Sequence, residues 1–449
     1  MLRLHDAVAG VFAAIAGPAI WALFDPDYDP RLGLVIWLVA FPIVWVVFLW
    51  LVGAHEPATA PLGRRSVTAV SQALFLVGVV LLVIFYLHPF FVPRGSSVLS
   101  LAIAFPATIA GRALFDRHAG ARRGRAAVVL GTDPAARRAA EAAITTPTGL
   151  HIAAFLDEHA EPGARLCDRP LLDLRAGLWE RVQELGAAVI LVGHTSRLSA
   201  GTLGELSRCF EHGVEAVPAT AYYEDLTGRV MADALEADWY ADLPTRSRGV
   251  YPLVKRGIDV LLATLIGIVA LPVGAIVALA IYADSGGPVI LRQVRVGRRG
   301  QEFVVHKFRS MRHGAEVEGR PVWASADDER RTRVGRFLRA RRLDELPQLW
   351  DVLRGAMSLI GPRPERPEFS EQLVAELPLY AARALVRPGI TGWAQVRYPY
   401  AATVEENLAK LEYDLYYVRH FGPLLDLAIA IRTILILLGL GAAPTRNPQ

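Results

Sequence analysis

RARRLDELPQLWDVLRGAMSLIGPRP, Arg339 to Pro364, is the stretch around which the rest of the chain is organised. A basic run, Arg339, Arg341 and Arg342, leads into two adjacent carboxylates, Asp344 and Glu345. A helical pattern follows, with Asp344, Gln348 and Asp351 on one face and Leu346, Leu349 and Leu353 on another. Asp344 suits the N-cap. Pro347 is tolerable in a first turn that has no intrahelical N–H bond to lose, and Gly355 suits the terminator. That placement predicts an ionised carboxylate among guanidinium groups, at a helix start where N–H groups and the dipole favour anions. Carboxylates so placed can also hold Mg²⁺ together with substrate phosphates. Gly361-Pro362-Arg363-Pro364 is a stiff turn that aims one arginine in a fixed direction. On these residues alone, a capped amphipathic helix with a solvated acidic start fits as well as a phosphate-handling site.

LDELPQLWDVLRGAMSLIGPRPE resembles the core signature of the bacterial polyprenyl-phosphate sugar-1-phosphate transferases, the monotopic phosphoglycosyl transferase superfamily. The resemblance extends from Lys255 to about Gly439. It implies transfer of a sugar 1-phosphate from a nucleoside-diphosphate sugar, UDP-linked, to polyprenyl (undecaprenyl) phosphate with release of UMP. Such a step initiates surface polysaccharide or exopolysaccharide synthesis. The implied mechanism is covalent: Asp344 attacks the phosphate bearing the sugar, and Glu345 serves Mg²⁺ and positioning. Asp344 and Glu345 are the implied metal ligands. Lys307, Arg309, Arg339, Arg363, Arg387, Gln395 and Arg397 are the implied substrate contacts. The other implied partner is the lipid bilayer; no nucleic acid is expected, and a homodimer is compatible with the sequence. Three positions depart from the family pattern: Ala356 replaces a usual acidic residue, Gly286 a usual proline, and Arg342 a common small polar residue.

Composition frames this. At 449 residues the chain has room for two or three domains. A hydrophobic share of 53% is high for a soluble protein and suits a membrane protein with soluble parts. Arginine outnumbers lysine 45 to 3, so an isolated arginine says little, whereas Lys255 and Lys307 both fall inside motifs. Cys167 and Cys209 lack metal-like spacing and read as free thiols in a reducing compartment. No cleavable signal peptide is read at the start.

Four apolar stretches, roughly 8–24, 33–52, 67–87 and 97–115, are each long enough to cross a hydrocarbon core, and Pro18, Pro42 and Pro106 would kink them. The loop DPDYDPR is acidic, whereas Arg64-Arg65 and Arg117, Arg122, Arg123 and Arg125 flank the other side. Positive-inside then puts both ends of this four-helix bundle, residues 1–120, in the cytoplasm of a bacterial inner membrane. It is expected to contain almost no buried charge, Arg112 lying near the end of its span, and reads as an anchor.

Residues 121–220 change to alternating strands and helices: AAVVLG, HIAAFLD, AAVILVG and VEAVPA with ARRAAEAAI, LWERVQEL and LGELSRCFEHG between them. This predicts a parallel, Rossmann-like cytoplasmic domain. Its first strand–helix turn, Gly131-Thr132-Asp133-Pro134, lacks the second glycine of a dinucleotide loop, and Asp133 would repel a pyrophosphate. A structural or regulatory role is expected. Residues 221–250 read as an aromatic-rich connector without chemistry.

The catalytic domain, 251–449, is expected to be α+β and membrane-associated. Its apolar run Ile258–Ile281 could span a membrane, but Lys255 and Arg256 precede it and Arg292, Arg295, Arg298 and Arg299 follow. With Pro272 near the middle, a helix–break–helix over 254–283 that re-enters the same leaflet is predicted, and the resemblance implies the same hairpin. Asp259 would pair with a nearby arginine. LRQVRVGRRGQEFVVHKFRSM (291–311) reads as a β-hairpin with Lys307 and Arg309 on one face. Arg333, Arg336 and Arg339 recur along a helix with Val334, Phe337 and Leu338 inward, and beside the dyad they suggest an electrostatic funnel. RPGITGWAQVRY (387–398) has turns that would expose backbone N–H groups. Asp426 and Arg432 suggest that the last apolar helix lies against the membrane. The alternatives are a membrane-anchored sugar-nucleotide dehydratase or epimerase, which needs the missing glycine loop, and a non-catalytic scaffold, which would show a degraded dyad.

Overall fold

The computed structural model describes residues 2–25, 34–55, 64–87, 94–121, 125–146, 150–161, 163–194, 198–233, 243, 250–312, 314, 330–398 and 403–440. The chain divides into two compact units, 1–234 and 235–449.

The first unit begins with helices α1 (Leu2–Phe24), α2 (Leu34–Leu51), α3 (Arg64–Leu87) and α4 (Arg94–Ala121), with Pro18, Pro42 and Pro106 inside α1, α2 and α4. Leu4–Phe24, Ser66–Ile84 and Gly95–Leu114 are long and apolar enough to cross a membrane, and Trp37–Leu51 is a shorter apolar helix. Phe41, Trp45, Leu49, Val70, Val77 and Ala104 form the bundle core. The expectation of almost no buried charge is corrected. Arg112 and Asp6 are both fully buried, and Arg112 Nη2 donates to Asp6 Oδ2 at 2.7 Å. A ring nitrogen of His55 lies 2.8 Å from the same carboxylate, and Arg112 Nη1 donates to Ser66 Oγ and the Ala54 carbonyl. Asp6 and Ser66 begin their helices, His55 follows α2, and Arg112 lies late in α4. The cluster therefore staples one end of an up-and-down bundle. Its members are as much as 106 residues apart in sequence, which is why the sequence hid it.

The unit continues with β1 (Arg125–Leu130), α5 (Pro134–Thr145), β2 (Leu150–Asp157), β3 (Arg165–Leu166), β4 (Arg169–Asp173), α6 (Leu178–Glu184), β5 (Val189–Val192), α7 (Ala200–Glu211), β6 (Glu215–Pro218) and α8 (Ala219–Thr227). The sheet order is β3-β4-β2-β1-β5-β6, parallel except for β3. Its parallel strands follow the order of a doubly wound sheet. Strand β4 escaped the sequence reading because it is short, contains Pro170, and follows a turn in which Cys167 and Asp168 take positive φ. YYEDLT, expected to be connector, is instead mostly α8: Tyr223 is buried against α5, and Arg138 donates to its hydroxyl. Residues 237–240 of that connector, Ala-Asp-Trp-Tyr, lie outside the described residues. Asp133 caps α5, accepting from the N–H groups of Ala135, Ala136 and His194. Its carboxylate thus takes the donors that a pyrophosphate would use in a dinucleotide fold.

The second unit opens with α9 (Tyr251–Ser285), followed by β7 (Ile290–Val296), β8 (Glu302–Phe308), α10 (Arg333–Ala340), α11 (Gln348–Arg354), β9 (Ser358–Ile360), α12 (Pro367–Glu376), β10 (Gly389–Thr391), α13 (Trp393–Arg397), α14 (Val404–His420) and α15 (Pro423–Leu437). Helix α9 is also long and apolar enough to cross a membrane. It is assigned as one helix with Pro272 inside it, where two helices separated by a break were expected. Arg256 donates to the carbonyls of Val352 and Leu353, at the end of α11. Among the described residues Asp259 meets no arginine by hydrogen bond; it accepts from Ser358 Oγ and Leu359 N–H. Ala263 packs with Val305, Leu349 and Val352, and farther along α9 Val277 and Ile281 pack with Phe308 and Leu338.

Strands β7 and β8 form the expected antiparallel hairpin, with Ile290 opposite Phe308 and Val296 opposite Glu302. In α10, Leu338 is buried but Phe337 is 58% exposed, contrary to the inward reading. The glycine-rich turns also differ from expectation. A Cβ on Gly389 would stand 2.1 Å from the Gly361 nitrogen, so β9 and β10 can pair in parallel only because both positions lack side chains. Gly361 N–H is bonded to Thr391 O and Gly389 N–H to Pro362 O, so these donors hold the fold together and are not free for a ligand. Asp426 accepts from Tyr251, Lys255 and Tyr417, while Arg432 lies over Trp393. The charges of α15 therefore bind it to its own unit, which removes the reason for laying it on a membrane.

Candidate active site

The dyad does not start a helix. Leu343–Glu345 is a 3₁₀ turn, Arg342 before it adopts a left-handed backbone (φ 55), and Pro347 stands at the N-cap position of α11. Proline has no N–H to donate, so the regular α-helical ladder of α11 begins only after it, past the carboxylates, although Leu346 and Pro347 keep right-handed helical geometry. Gly355 ends α11 in the left-handed conformation as expected (φ 86). Leu346, Leu349 and Leu353 pack into the core, and so fix which face the dyad presents.

Both carboxylates are buried, and they differ. Glu345 accepts from Arg363 Nη2 at 2.6 Å, with Arg342 at 3.9 Å. Burial alone would raise its pKa, but Arg363, then Lys307, outweigh this and hold it down to about 2. Asp344 makes no hydrogen bond or ion pair among the described residues. Burial, then the neighbouring Glu345, pushes its pKa up, opposed by Lys307, Arg339 and Arg363. The dyad thus holds one tied and one free carboxylate.

Lys307 stands on β8 within the field of both. It too has no hydrogen bond or ion pair among the described residues. Loss of solvent, then the Arg363 charge, lowers its pKa to about 7. An anionic ligand would restore its charge. Arg339 is anchored through Nε to Ser310 Oγ at 2.9 Å. Gly335 allows this: a Cβ there would fall 1.9 Å from the Ser310 carbonyl oxygen, so α10 sits directly on the chain after β8.

Asp344, Glu345, Lys307, Arg339 and Arg363 are therefore brought together. Other candidates are placed elsewhere. Arg309 donates to the carbonyls of Ser285, Gly286 and Gly287 at the end of α9. Arg387 donates to Gly355 O, beside Arg256 and Arg298. Gln395 donates to Ile390 O, and Arg397 stacks on Trp393 at 4.2 Å. Each is part of the scaffold that carries the site. Arg342, named in the basic run before the dyad, does reach Glu345; the sequence reading missed Arg295 as a member of the charge cluster, and it missed the clasp of His306 by Asp351. Asp351 is fully buried and accepts from the His306 backbone N–H at 2.9 Å, with the ring nitrogen at 2.7 Å. The one available signal was the shared helix face of Asp344, Gln348 and Asp351.

The donor set fits a divalent cation. Mg²⁺ takes one or two carboxylates and completes its shell with substrate phosphates and water. Here a free carboxylate lies beside a second one whose charge raises its pKa, a repulsion that a cation would relieve. No group of three or more acidic, histidine or cysteine ligands occurs among the described residues, so ligand oxygens would have to complete the shell.

Comparison with known proteins bears on the same part of the chain. A family described as bacterial sugar transferase matches residues 250–439. An Aeromonas hydrophila UDP-N-acetylgalactosamine-undecaprenyl-phosphate N-acetylgalactosaminephosphotransferase is 42% identical over 238 residues, 53% of this chain and 56% of its own. The Escherichia coli UDP-glucose:undecaprenyl-phosphate glucose-1-phosphate transferase is 43% identical over 41% of this chain and 40% of its own. A Caulobacter vibrioides protein of that same name is 43% identical over 40% of this chain and 68% of its own. The chain thus spans about half the length of the first two relatives.

Proposed function

The chain belongs to the bacterial sugar transferase family, and from that premise we propose that it transfers a sugar 1-phosphate from a UDP-sugar to undecaprenyl phosphate. The observation that carries this reading is the dyad itself: a buried carboxylate free of hydrogen bonds, beside a tied one, facing three cations. In the proposed reaction an Asp344 carboxylate oxygen attacks the phosphorus that bears the sugar. The bond from that phosphorus to the bridging oxygen breaks, and the electron pair leaves with UMP. An oxygen of the lipid phosphate then attacks the same phosphorus, and Asp344 is released as a carboxylate. A carboxylate is a competent nucleophile once the phosphate charge is neutralised. Lys307, Arg339 and Arg363 supply that neutralisation, and Glu345 keeps Arg363 aimed. Bound Mg²⁺ would add further charge stabilisation, held by Asp344 and Glu345.

The proposed setting is the cytoplasmic face of the inner membrane, with the doubly wound domain as a Rossmann-like module that binds no dinucleotide. We also propose that α9 enters and leaves one leaflet. Both its ends are held by the same unit, Arg256 and Asp259 at one and Ser285 through Arg309 at the other. A straight helix of 35 residues would reach about 52 Å, against a hydrocarbon core of about 30 Å.

The test is a panel of UDP-sugars with undecaprenyl phosphate and Mg²⁺, scored by UMP release and by a covalent sugar-phosphate adduct. Asp344→Asn should abolish both in a folded protein, and excess chelator should stop wild-type turnover until Mg²⁺ is restored. A folded Asn variant with wild-type turnover refutes the nucleophile. Full activity in chelator refutes the metal.

A further inference from the structure

Gln348 is 2% exposed, and its Nε2 has no hydrogen-bond partner among the described residues. Buried amide groups are almost always paired, because leaving one unpaired costs stability. The position of this exception is informative. Leu346 and Pro347 both have right-handed helical geometry, so the 3₁₀ turn runs on into α11. Gln348 therefore lies one turn after Asp344, on its face. One turn later on that face, Asp351 clasps His306 of β8 through both backbone and ring. The clasp turns this face toward β8, where Lys307 is the next residue.

We propose that the Gln348 amide binds the phosphoryl group that Asp344 takes, donating from Nε2 to one of its non-bridging oxygens. This rests on Asp344 being the nucleophile, as argued above. An amide can rotate about its last side-chain bond, and a phosphate, which offers only acceptors, selects the NH₂ end. Lys307, Arg339 and Arg363 supply charge. The neutral amide supplies a fixed direction for one oxygen as charge redistributes at phosphorus. The unpaired donor in the free enzyme is then the cost of a site shaped for its ligand.

The experiment uses the full chain in nanodiscs with a UDP-sugar that the wild type accepts, measuring adduct formation in a single turnover. Gln348→Met keeps the shape and removes the donor. It should slow adduct formation by about 10²-fold, the usual effect of losing one such donor. The thermal midpoint should hold or rise, because an unpaired buried donor is gone. UMP affinity should be unchanged, since UMP lacks the transferred phosphate. Gln348→Glu, similar in size but anionic, should be slowed at least as much. A lowered midpoint with a wild-type adduct rate would make Gln348 purely structural and overturn the proposal. Wild-type values throughout, or a loss confined to UMP affinity, would overturn it equally. A wild type that forms neither UMP nor adduct with any UDP-sugar would sink the underlying reaction; an active wild type matched by Gln348→Met sinks only the amide.

Discussion

Replacing Arg363 by Met would remove the cation that ties Glu345 while keeping most of the side chain's apolar stem. Glu345 is held at about 2 against an ordinary 4.5, a gap of about 2.5 units, or about 3–4 kcal/mol at ~1.4 kcal/mol per unit. Lys307 shares in that effect and Arg363 is 27% exposed at its side chain, so the variant should lose about 1–3 kcal/mol at neutral pH. The sign follows from linkage. A carboxylate whose folded pKa is depressed contributes stability above its unfolded pKa and loses it as pH falls through the folded value. The gap between wild type and variant should therefore be widest above about pH 5 and close as pH falls toward 2. Thermal unfolding of the detergent-solubilised chain across that range measures it. Lys307 offers a second readout: losing the Arg363 charge should raise its pKa above about 7. A gap that stays constant with pH, or no gap at pH 7, would refute the assigned electrostatics.

Two further predictions concern the architecture. Single cysteines at Ser247 and Gln301, with Cys167 and Cys209 replaced, should both escape a membrane-impermeant thiol reagent in intact cells and react once cells are opened; labelling of Gln301 alone in intact cells means that α9 crosses. Gly389→Ala places a methyl 2.1 Å from the Gly361 nitrogen and 2.5 Å from the Thr391 oxygen, so the β9–β10 pair must part. It should cost about 1–3 kcal/mol, seen as a lowered unfolding midpoint, and an unchanged midpoint would refute the close approach.

Much of the site was legible because its signals are local. The dyad, the Gly355 terminator and the turn that carries Arg363 lie within one short stretch, where helical spacing and proline geometry dictate direction. The β7–β8 hairpin was legible too, from a glycine-flanked turn between alternating strands. Less legible was the division of labour among arginines. Arg309, Arg387 and Arg397 carry the same charge as Arg339 and Arg363, yet their partners are carbonyls at helix ends and the ring of Trp393.

By itself the sequence determined the order of elements: four apolar helices, an alternating strand–helix region, and a dyad embedded in a strongly patterned segment. It could do so because hydrophobic period, caps and breakers act over a few residues. Only the tertiary structure decided which charges meet. Asp6 and Arg112 lie 106 residues apart in sequence and Asp351 and His306 45, and pairing across such separations is set by how elements pack. The two carboxylates of one dipeptide were separated into a tied and a free acid in the same way, because Arg363 arrives from 18 residues downstream and, among the described residues, hydrogen-bonds Glu345 but not Asp344.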